Sequence, residues 1–169
     1  IVILAIPSPF LDIELTKIKD LIKDKVLFSA LKGVIPVSNL IVSEHLNEFY
    51  DISLSKIGII TGPCHAEEVA LEKLSYLTVA CKNELRGKEM ANALKSSYIN
   101  VKVSNDTMGV EYAAMLKNIY AIIAGICHGL GYGDNFQSVL ISNCVREMKK
   151  FVYKIYRTNR DINDSEYLG

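Results

Sequence analysis

Residues 57–70 have the sequence Ile-Gly-Ile-Ile-Thr-Gly-Pro-Cys-His-Ala-Glu-Glu-Val-Ala, and this stretch indicates the fold. Ile57 to Ile60 form a short apolar run, as expected of a parallel strand covered on both faces. Gly62-Pro63 marks a turn, and helix-like sequence extends from Ala66 to Leu74. The stretch therefore predicts a strand, a turn and a helix in succession, which is the repeating element of a parallel α/β sheet.

The same alternation continues on both sides of this stretch. Further strands are predicted at Ile1 to Ile6, Val26 to Leu31, Leu77 to Ala80 and Asn100 to Val103. Further helices are predicted from Leu11 to Ile22, Leu40 to Phe49 and Glu84 to Leu94. Residues 1–104 are thus expected to form βα units and a mostly parallel sheet.

After Asp106 the sequence contains only helical patterns. From Thr107 the bulky apolar residues fall on one face, and the opposite face carries small side chains around a single lysine, Lys117. Such a face suits close packing against another element or a ligand. A glycine-rich break at 129–133 ends this helix, and Asp134 or Asn135 can cap the next one. Residues 105–169 are therefore expected to begin a helical domain.

Composition limits the classes of function. The 169 residues are 50% hydrophobic and 22% charged, as in a soluble globular protein, and the 19 basic residues balance the 19 acidic ones. This balance argues against a nucleic acid or an anionic membrane as partner. The longest apolar run, Ile119 to Cys127, is less than half of the ~20 residues that span a bilayer. The four cysteines lack a Cys-x-x-Cys pair, which favours free thiols in the cytoplasm over a structural zinc.

Three strand ends and one helix face are candidates for a ligand site. Ligands of open parallel sheets bind outside the carboxyl ends of the strands. The three ends are followed by Pro7-Ser8-Pro9-Phe10, Lys32 and Gly62-Pro63. Lys32 can instead be an ordinary exposed lysine, and Gly62-Pro63 can be a purely structural turn. Lys117 can be a general acid or base in a desolvated cleft, or it can extend its ammonium to solvent.

The remaining polar candidates have ordinary interpretations. His65 and His128 have no second ligand at metal spacing, so no metal site is predicted. Cys64 has no partnered histidine pattern and is interpreted as a small residue that lines the site. The basic cluster on the last helix is expected to be a solvated face; it comprises Lys149, Lys150, Lys154, Arg157 and Arg160.

Five segments, in order along nearly the whole chain, resemble the bacterial type of NAD(P)-dependent glycerol-3-phosphate dehydrogenase. They are Val2-Ile-Leu-Ala-Ile-Pro-Ser8, Ser29-Ala-Leu-Lys-Gly33, Gly62-Pro-Cys-His-Ala-Glu-Glu-Val-Ala70, Leu116-Lys-Asn-Ile-Tyr-Ala121 and Gly125-Ile-Cys-His-Gly-Leu-Gly-Tyr-Gly-Asp-Asn135. The resemblance implies a Rossmann-like domain followed by an all-helical domain like that of 6-phosphogluconate dehydrogenase. It also implies reduction of dihydroxyacetone phosphate to sn-glycerol 3-phosphate by NADH or NADPH, which supplies glycerophospholipid synthesis.

The resemblance also implies roles for single residues and a homodimer. Lys117 matches the catalytic acid/base. Substrate contacts are implied for Lys32, Gly62, Cys64 and Asn118, and cofactor contacts for Phe10, Lys32 and Ala66. The family usually has serine where Cys64 stands, which puts a direct hydrogen bond there in doubt.

Three family motifs are absent from the sequence. No Gly-x-Gly-x-x-Gly occurs, and the family's turn of that kind would precede Ile1. The family's Gly-Asp-Leu and Ser-Arg-Asn motifs would follow Gly169. We therefore expect residues 1–169 alone to be inactive. Two alternatives remain: a non-catalytic helical interaction module that retains part of a dehydrogenase core, and another dehydrogenase of the 6-phosphogluconate and β-hydroxyacid superfamily.

Overall fold

The structure is a computed structural model that describes residues 1–162 and 167. The elements in chain order are β1 (Val2–Leu4), α1 (Leu11–Lys17), α2 (Lys19–Ile22), β2 (Leu27–Ser29), β3 (Val34–Ile35), β4 (Leu40–Ile41), α3 (Val42–Tyr50), β5 (Ile57–Thr61), α4 (Ala66–Ala70), β6 (Ser75–Cys81), α5 (Glu84–Leu94), β7 (Ile99–Ser104), α6 (Thr107–Gly129) and α7 (Asp134–Ile155). Short 3-10 turns at Ser8–Phe10 and Leu54–Lys56 precede α1 and β5.

Five strands form one sheet in the order β1-β2-β5-β6-β7. Three of its four pairings are parallel, and β5 and β6 pair antiparallel, with Ile59 opposite Ala80. The predicted, mostly parallel α/β sheet is thereby confirmed. The single reversal has a physical cause: α4 is only five residues, about 8 Å, long and cannot carry the chain back along the sheet for a parallel crossover.

Three predicted helices have different bounds in the structure. The helix predicted to reach Leu74 ends at Ala70, because Glu72 adopts a left-handed conformation (φ 53°) before β6 begins. The helix predicted from Leu40 begins at Val42, because β4 pairs with β3 in a hairpin that the sequence analysis did not predict. The first predicted helix is interrupted at Ile18 and forms α1 and α2.

Helix α6 has the predicted start and end, and its small-residue face packs on the sheet. Val110 and Ala113 are fully buried in a cluster that includes Ile59 of β5 and Ala80 of β6. The bulky residues further along α6 are exposed, Ile122 at 65%. Helix α6 is long and apolar enough to cross a membrane, but the core helices of soluble proteins also meet these two criteria of length and composition.

The junction between α6 and the last residues contains a buried ion pair that contradicts one expectation. Arg160, expected on a solvated face, is 9% exposed. Its guanidinium donates to both carboxylate oxygens of Asp106, which also accepts from the Gly109 amide at the start of α6.

The cap predicted for α7 is wrong by one position. Gly133 is the cap residue, and Asp134 is the first residue of the helix.

Candidate active site

The sheet brings several of the candidate residues to one edge. Strands β1, β2 and β5 are parallel neighbours, so their carboxyl ends lie side by side. Phe10 follows β1, Lys32 follows β2, and Gly62 follows β5. This is the edge at which open α/β sheets bind ligands.

Lys32 is tied to this edge by a hydrogen bond. Its Nζ donates to Oγ1 of Thr61, the last residue of β5, at 2.5 Å. The residue as a whole is exposed, but its ammonium is largely desolvated. Desolvation and the positive charge of Lys117 lower the pKa of Lys32 to about 8, whereas the negative charge of Glu111 raises it. The two lysines, which are distant in sequence, therefore interact electrostatically in the fold.

Lys117 lies on α6, where the helix leaves the sheet. Its side chain is half-buried, and desolvation lowers its pKa. It lines a cavity of about 330 Å³ between α6 and α7, together with Tyr120, Ala121, Ala124, Leu140, Ile141, Cys144, Val145 and Met148. The ammonium thus lies beside apolar surface, and this desolvation eases release of its proton.

The turn after β5 has a strict geometric requirement at Gly62. Its φ is +130°, and a Cβ there would lie 2.4 Å from the carbonyl oxygen of Tyr76. Glycine is therefore needed for the turn itself. Cys64 is half-buried beyond the turn, and Ala66 is the exposed first residue of α4.

Phe10 and Asn118 are both exposed side chains. Phe10 is 56% exposed at the end of the 3-10 turn after β1. Asn118 is exposed on α6 next to Lys117. The structure thus brings Lys32 and Lys117 together through space, and it puts Phe10, Gly62, Cys64 and Ala66 after neighbouring strands.

Two polar residues at this site were not predicted from the sequence. Thr61 anchors Lys32, and Glu111 of α6 is a buried carboxylate that interacts with the charge of Lys32. A signal for Glu111 existed, since it is an acidic residue within the apolar first turns of α6. No signal identified Thr61, because threonine is common in buried strands. Among residues 1–162 and 167, no group of three or more metal-binding side chains occurs.

A Rossmann-like sheet followed by a helical region is the architecture of the class of dinucleotide-dependent dehydrogenases. Family models agree with this class. The model for the N-terminus of NAD-dependent glycerol-3-phosphate dehydrogenase matches residues 1–86, and the model for its C-terminus matches residues 106–169. The chain belongs to the NAD-dependent glycerol-3-phosphate dehydrogenase family.

Relatives of known name support this assignment. The chain is 32% identical to glycerol-3-phosphate dehydrogenase [NAD(P)+] of Corynebacterium jeikeium, over 100% of this chain and 51% of that protein. It is 33% identical to the protein of the same name in Listeria monocytogenes serotype 4a, over 89% of this chain and 45% of that protein. The chain thus spans about half the length of these relatives.

Solved structures show the same fold. Glycerol-3-phosphate dehydrogenase of Coxiella burnetii superposes with a TM-score of 0.85 at 27% identity, covering 99% of this chain and 51% of that one. The DsGPDH of Dunaliella salina also gives 0.85, at 25% identity, covering 97% of this chain and 29% of that one.

Proposed function

We propose that this chain is part of an enzyme that interconverts dihydroxyacetone phosphate and sn-glycerol 3-phosphate with NAD(H) or NADP(H). The observation that carries the proposal is the electrostatic pair of Lys32 and Lys117 at the carboxyl edge of the sheet. Family membership supports the same reaction.

The residues at the edge fit one side of a nicotinamide dinucleotide. The exposed Phe10 ring offers an apolar surface, Ala66 presents a small side chain, and Lys32 offers a cation. These residues follow adjacent parallel strands, where such cofactors bind. When bound, the cofactor supplies or accepts a hydride at the substrate carbon.

The two lysines serve the oxygen of the reacting carbonyl. As the carbon gains a hydride, negative charge develops on its oxygen, and a nearby ammonium stabilises that charge. Lys117 donates its proton to this oxygen, and the O–H bond of the product alcohol forms as an N–H bond breaks. In the reverse direction neutral Lys117 accepts the proton. Lys32, held by Thr61, contributes charge to the substrate and the cofactor.

Three further residues are proposed to contact substrate. Asn118, next to Lys117, can donate and accept hydrogen bonds. Gly62 lets the backbone approach a ligand closely, and Cys64 lines the site as a small, weakly polar group. Their positions beside Lys117 and after β5 support these roles.

The proposal is tested by Lys117→Met in the complete enzyme. Loss of the proton donor should lower kcat by at least ~10²-fold, the scale of a general acid. Lys150→Met, at an exposed position of α7, is the matched control and should leave kcat unchanged. Near-normal turnover by a folded Lys117→Met enzyme would remove Lys117 from the chemistry.

Several wider features are proposed on the same basis. The domain boundary is placed after residue 104, since β7 ends at Ser104 and α6 begins at Thr107. We infer a cytoplasmic homodimer that supplies glycerophospholipid synthesis and binds neither nucleic acid nor membrane. The balanced charge and the family support this inference.

A second candidate, a non-catalytic interaction module, is favoured by one observation. Ile122, Ile126 and Leu130 of α6 are exposed at 65%, 57% and 72%. A turnover assay of the complete protein with dihydroxyacetone phosphate and NADH or NADPH separates the candidates: activity supports the dehydrogenase, and its absence in a folded protein supports the module.

A further inference from the structure

Glu111 is a buried carboxylate that joins two helices. It is 4% exposed, and both its oxygens accept from the backbone N–H of Ser43 at 3.3 Å. The Ser43 hydroxyl also donates to Oε2 of Glu111. Helix α3 has no side-chain cap from its own cap residue, Ile41, so α6 supplies through Glu111 the acceptor that the first turn of α3 lacks.

This contact closes a loop that begins at Lys32. The chain runs from Lys32 through Gly33 and the β3–β4 hairpin directly into α3. Hydrogen bonds anchor both ends of this segment: Thr61 accepts from Lys32 at its start, and Glu111 accepts from Ser43 at its end. Glu111 lies six residues before Lys117 on α6, about 9 Å along the helix axis. One carboxylate therefore connects the segment that bears Lys32 to the helix that bears Lys117.

The charge of Glu111 also acts on Lys32. The Lys32 ammonium experiences repulsion from Lys117 and attraction from Glu111. Burial raises the pKa of Glu111 to about 7, which the Ser43 and Val42 hydrogen bonds oppose and the Glu44 charge reinforces. The titratable groups that face Glu111 are Glu44 on α3, Lys32 after β2, Tyr112 on α6 and Tyr156 after α7.

We propose that Glu111 is a positioning residue for the dehydrogenase reaction. Glu111 clamps α3 to α6, so that Lys32 is held opposite Lys117 and faces a compensating negative charge. This inference rests on the proposed function for its catalytic consequence. Its electrostatic part depends only on the fold.

The test uses the complete enzyme and the variant Glu111→Gln, which keeps the shape of the side chain but removes its charge and replaces one of its two acceptor oxygens by an NH2 donor. Acetylation of Lys32 by acetic anhydride is measured against pH by peptide mass spectrometry, with kcat and KM measured in parallel. The labelling midpoint, near pH 8 in the parent, should move to lower pH in Glu111→Gln. We expect kcat/KM to fall by about 10- to 100-fold, as for a displacement of about 1 Å in a positioned group.

Glu44→Gln is the matched control, since Glu44 is also on α3 but bonds to the hydroxyls of Tyr112 and Tyr156. It should leave the Lys32 midpoint in place. An unchanged midpoint and unchanged kinetics in Glu111→Gln would overturn the proposal. A parent enzyme without turnover would contradict only the proposed function, because the labelling midpoint still tests the charge on Lys32.

Ser43→Ala keeps the proposal testable if Glu111→Gln does not fold. This variant removes a hydroxyl that donates to Glu111 and retains the carboxylate. It should lower kcat/KM, and it should move the Lys32 midpoint less than Glu111→Gln does, because the Glu111 carboxylate is retained. Full activity in Ser43→Ala would overturn the clamp.

Discussion

At the scale of single residues, the environment of two lysines sets their chemistry. An isolated lysine has a pKa near 10.4 and releases a proton slowly at neutral pH. Desolvation lowers the pKa of Lys117, and desolvation together with the Lys117 charge lowers that of Lys32 to about 8. A lysine of lowered pKa transfers a proton more readily than an exposed lysine, which suits a ketone reductase.

The lowered pKa of Lys32 predicts a pH-dependent KM. Lys32 is cationic below about pH 8 and loses its charge above it. Attraction to a substrate phosphate should therefore weaken, and KM for dihydroxyacetone phosphate should rise, between about pH 7 and about pH 9. Arginine stays charged throughout this range, so Lys32→Arg should not show the rise. Steady-state kinetics across this range decide the point; the same rise in Lys32→Arg would exclude Lys32 as its cause.

Gly62 predicts a stability effect at the turn after β5. In Gly62→Ala the new Cβ would meet the Tyr76 carbonyl oxygen at 2.4 Å, in a backbone conformation with φ of +130°. We expect a loss of about 1–3 kcal/mol in the free energy of unfolding, measured by urea denaturation. Gly125→Ala, with nothing within 4 Å of the added Cβ, is the control and should stabilise α6 by about 0.5–1 kcal/mol. Wild-type stability of Gly62→Ala would show that the turn can relax.

At the scale of elements, α6 is held at its start by a polar cluster and along its first half by small residues. Burial disfavours the Asp106 carboxylate, but the hydrogen bond and the charge of Arg160 outweigh this effect and lower its pKa. Asp106 also caps α6 through the Gly109 amide. The helix that bears Lys117 is thereby oriented from its first turn.

The Asp106–Arg160 pair predicts a large effect of Arg160→Ala. The two side chains are 18% and 5% exposed, so the substitution leaves a largely buried carboxylate without its cation. The free energy of unfolding should fall by about 3–5 kcal/mol. Arg157→Ala, at an exposed position, should change it by less than about 0.5 kcal/mol. Chemical denaturation of both variants provides the measurement, and equal effects would show that the pair is not specifically stabilising.

At the scale of the whole molecule, the site depends on a junction between two kinds of architecture. The sheet supplies Lys32 and the turn after β5, and the helical region supplies Lys117. Neither part contains both lysines. The packing of Val110 and Ala113 against Ile59 and Ala80 brings the two parts together.

A polypeptide of residues 1–169 by itself is predicted to bind dinucleotide weakly. Its sequence contains no Gly-x-Gly-x-x-Gly turn, whose N–H groups and following helix hold a pyrophosphate. Each charge-assisted hydrogen bond to a phosphate contributes roughly 1.5–3 kcal/mol, or about tenfold in affinity per 1.4 kcal/mol. Titration calorimetry with NADH and NADPH should show no micromolar binding. Micromolar binding at normal stoichiometry would show that these residues contain a complete cofactor site.

The sequence by itself determined the class of fold and the family. Hydrophobic periodicity predicted the strands and the long helices, because burial imposes a period of two or 3.6 residues on each element. The small-residue face of α6 predicted close packing, and five short motifs indicated the family. The roles of Phe10, Lys32, Gly62, Cys64, Ala66, Lys117 and Asn118 stay predictions.

Only the tertiary structure decided the features that depend on contacts between distant residues. The reversal of β6, the hairpin before α3 and the pairing of Arg160 with Asp106 leave no local period in the sequence. The same holds for the electrostatic pair of Lys32 and Lys117. Coulomb interaction and desolvation depend on distance in space, and sequence patterns report only the local environment of each element.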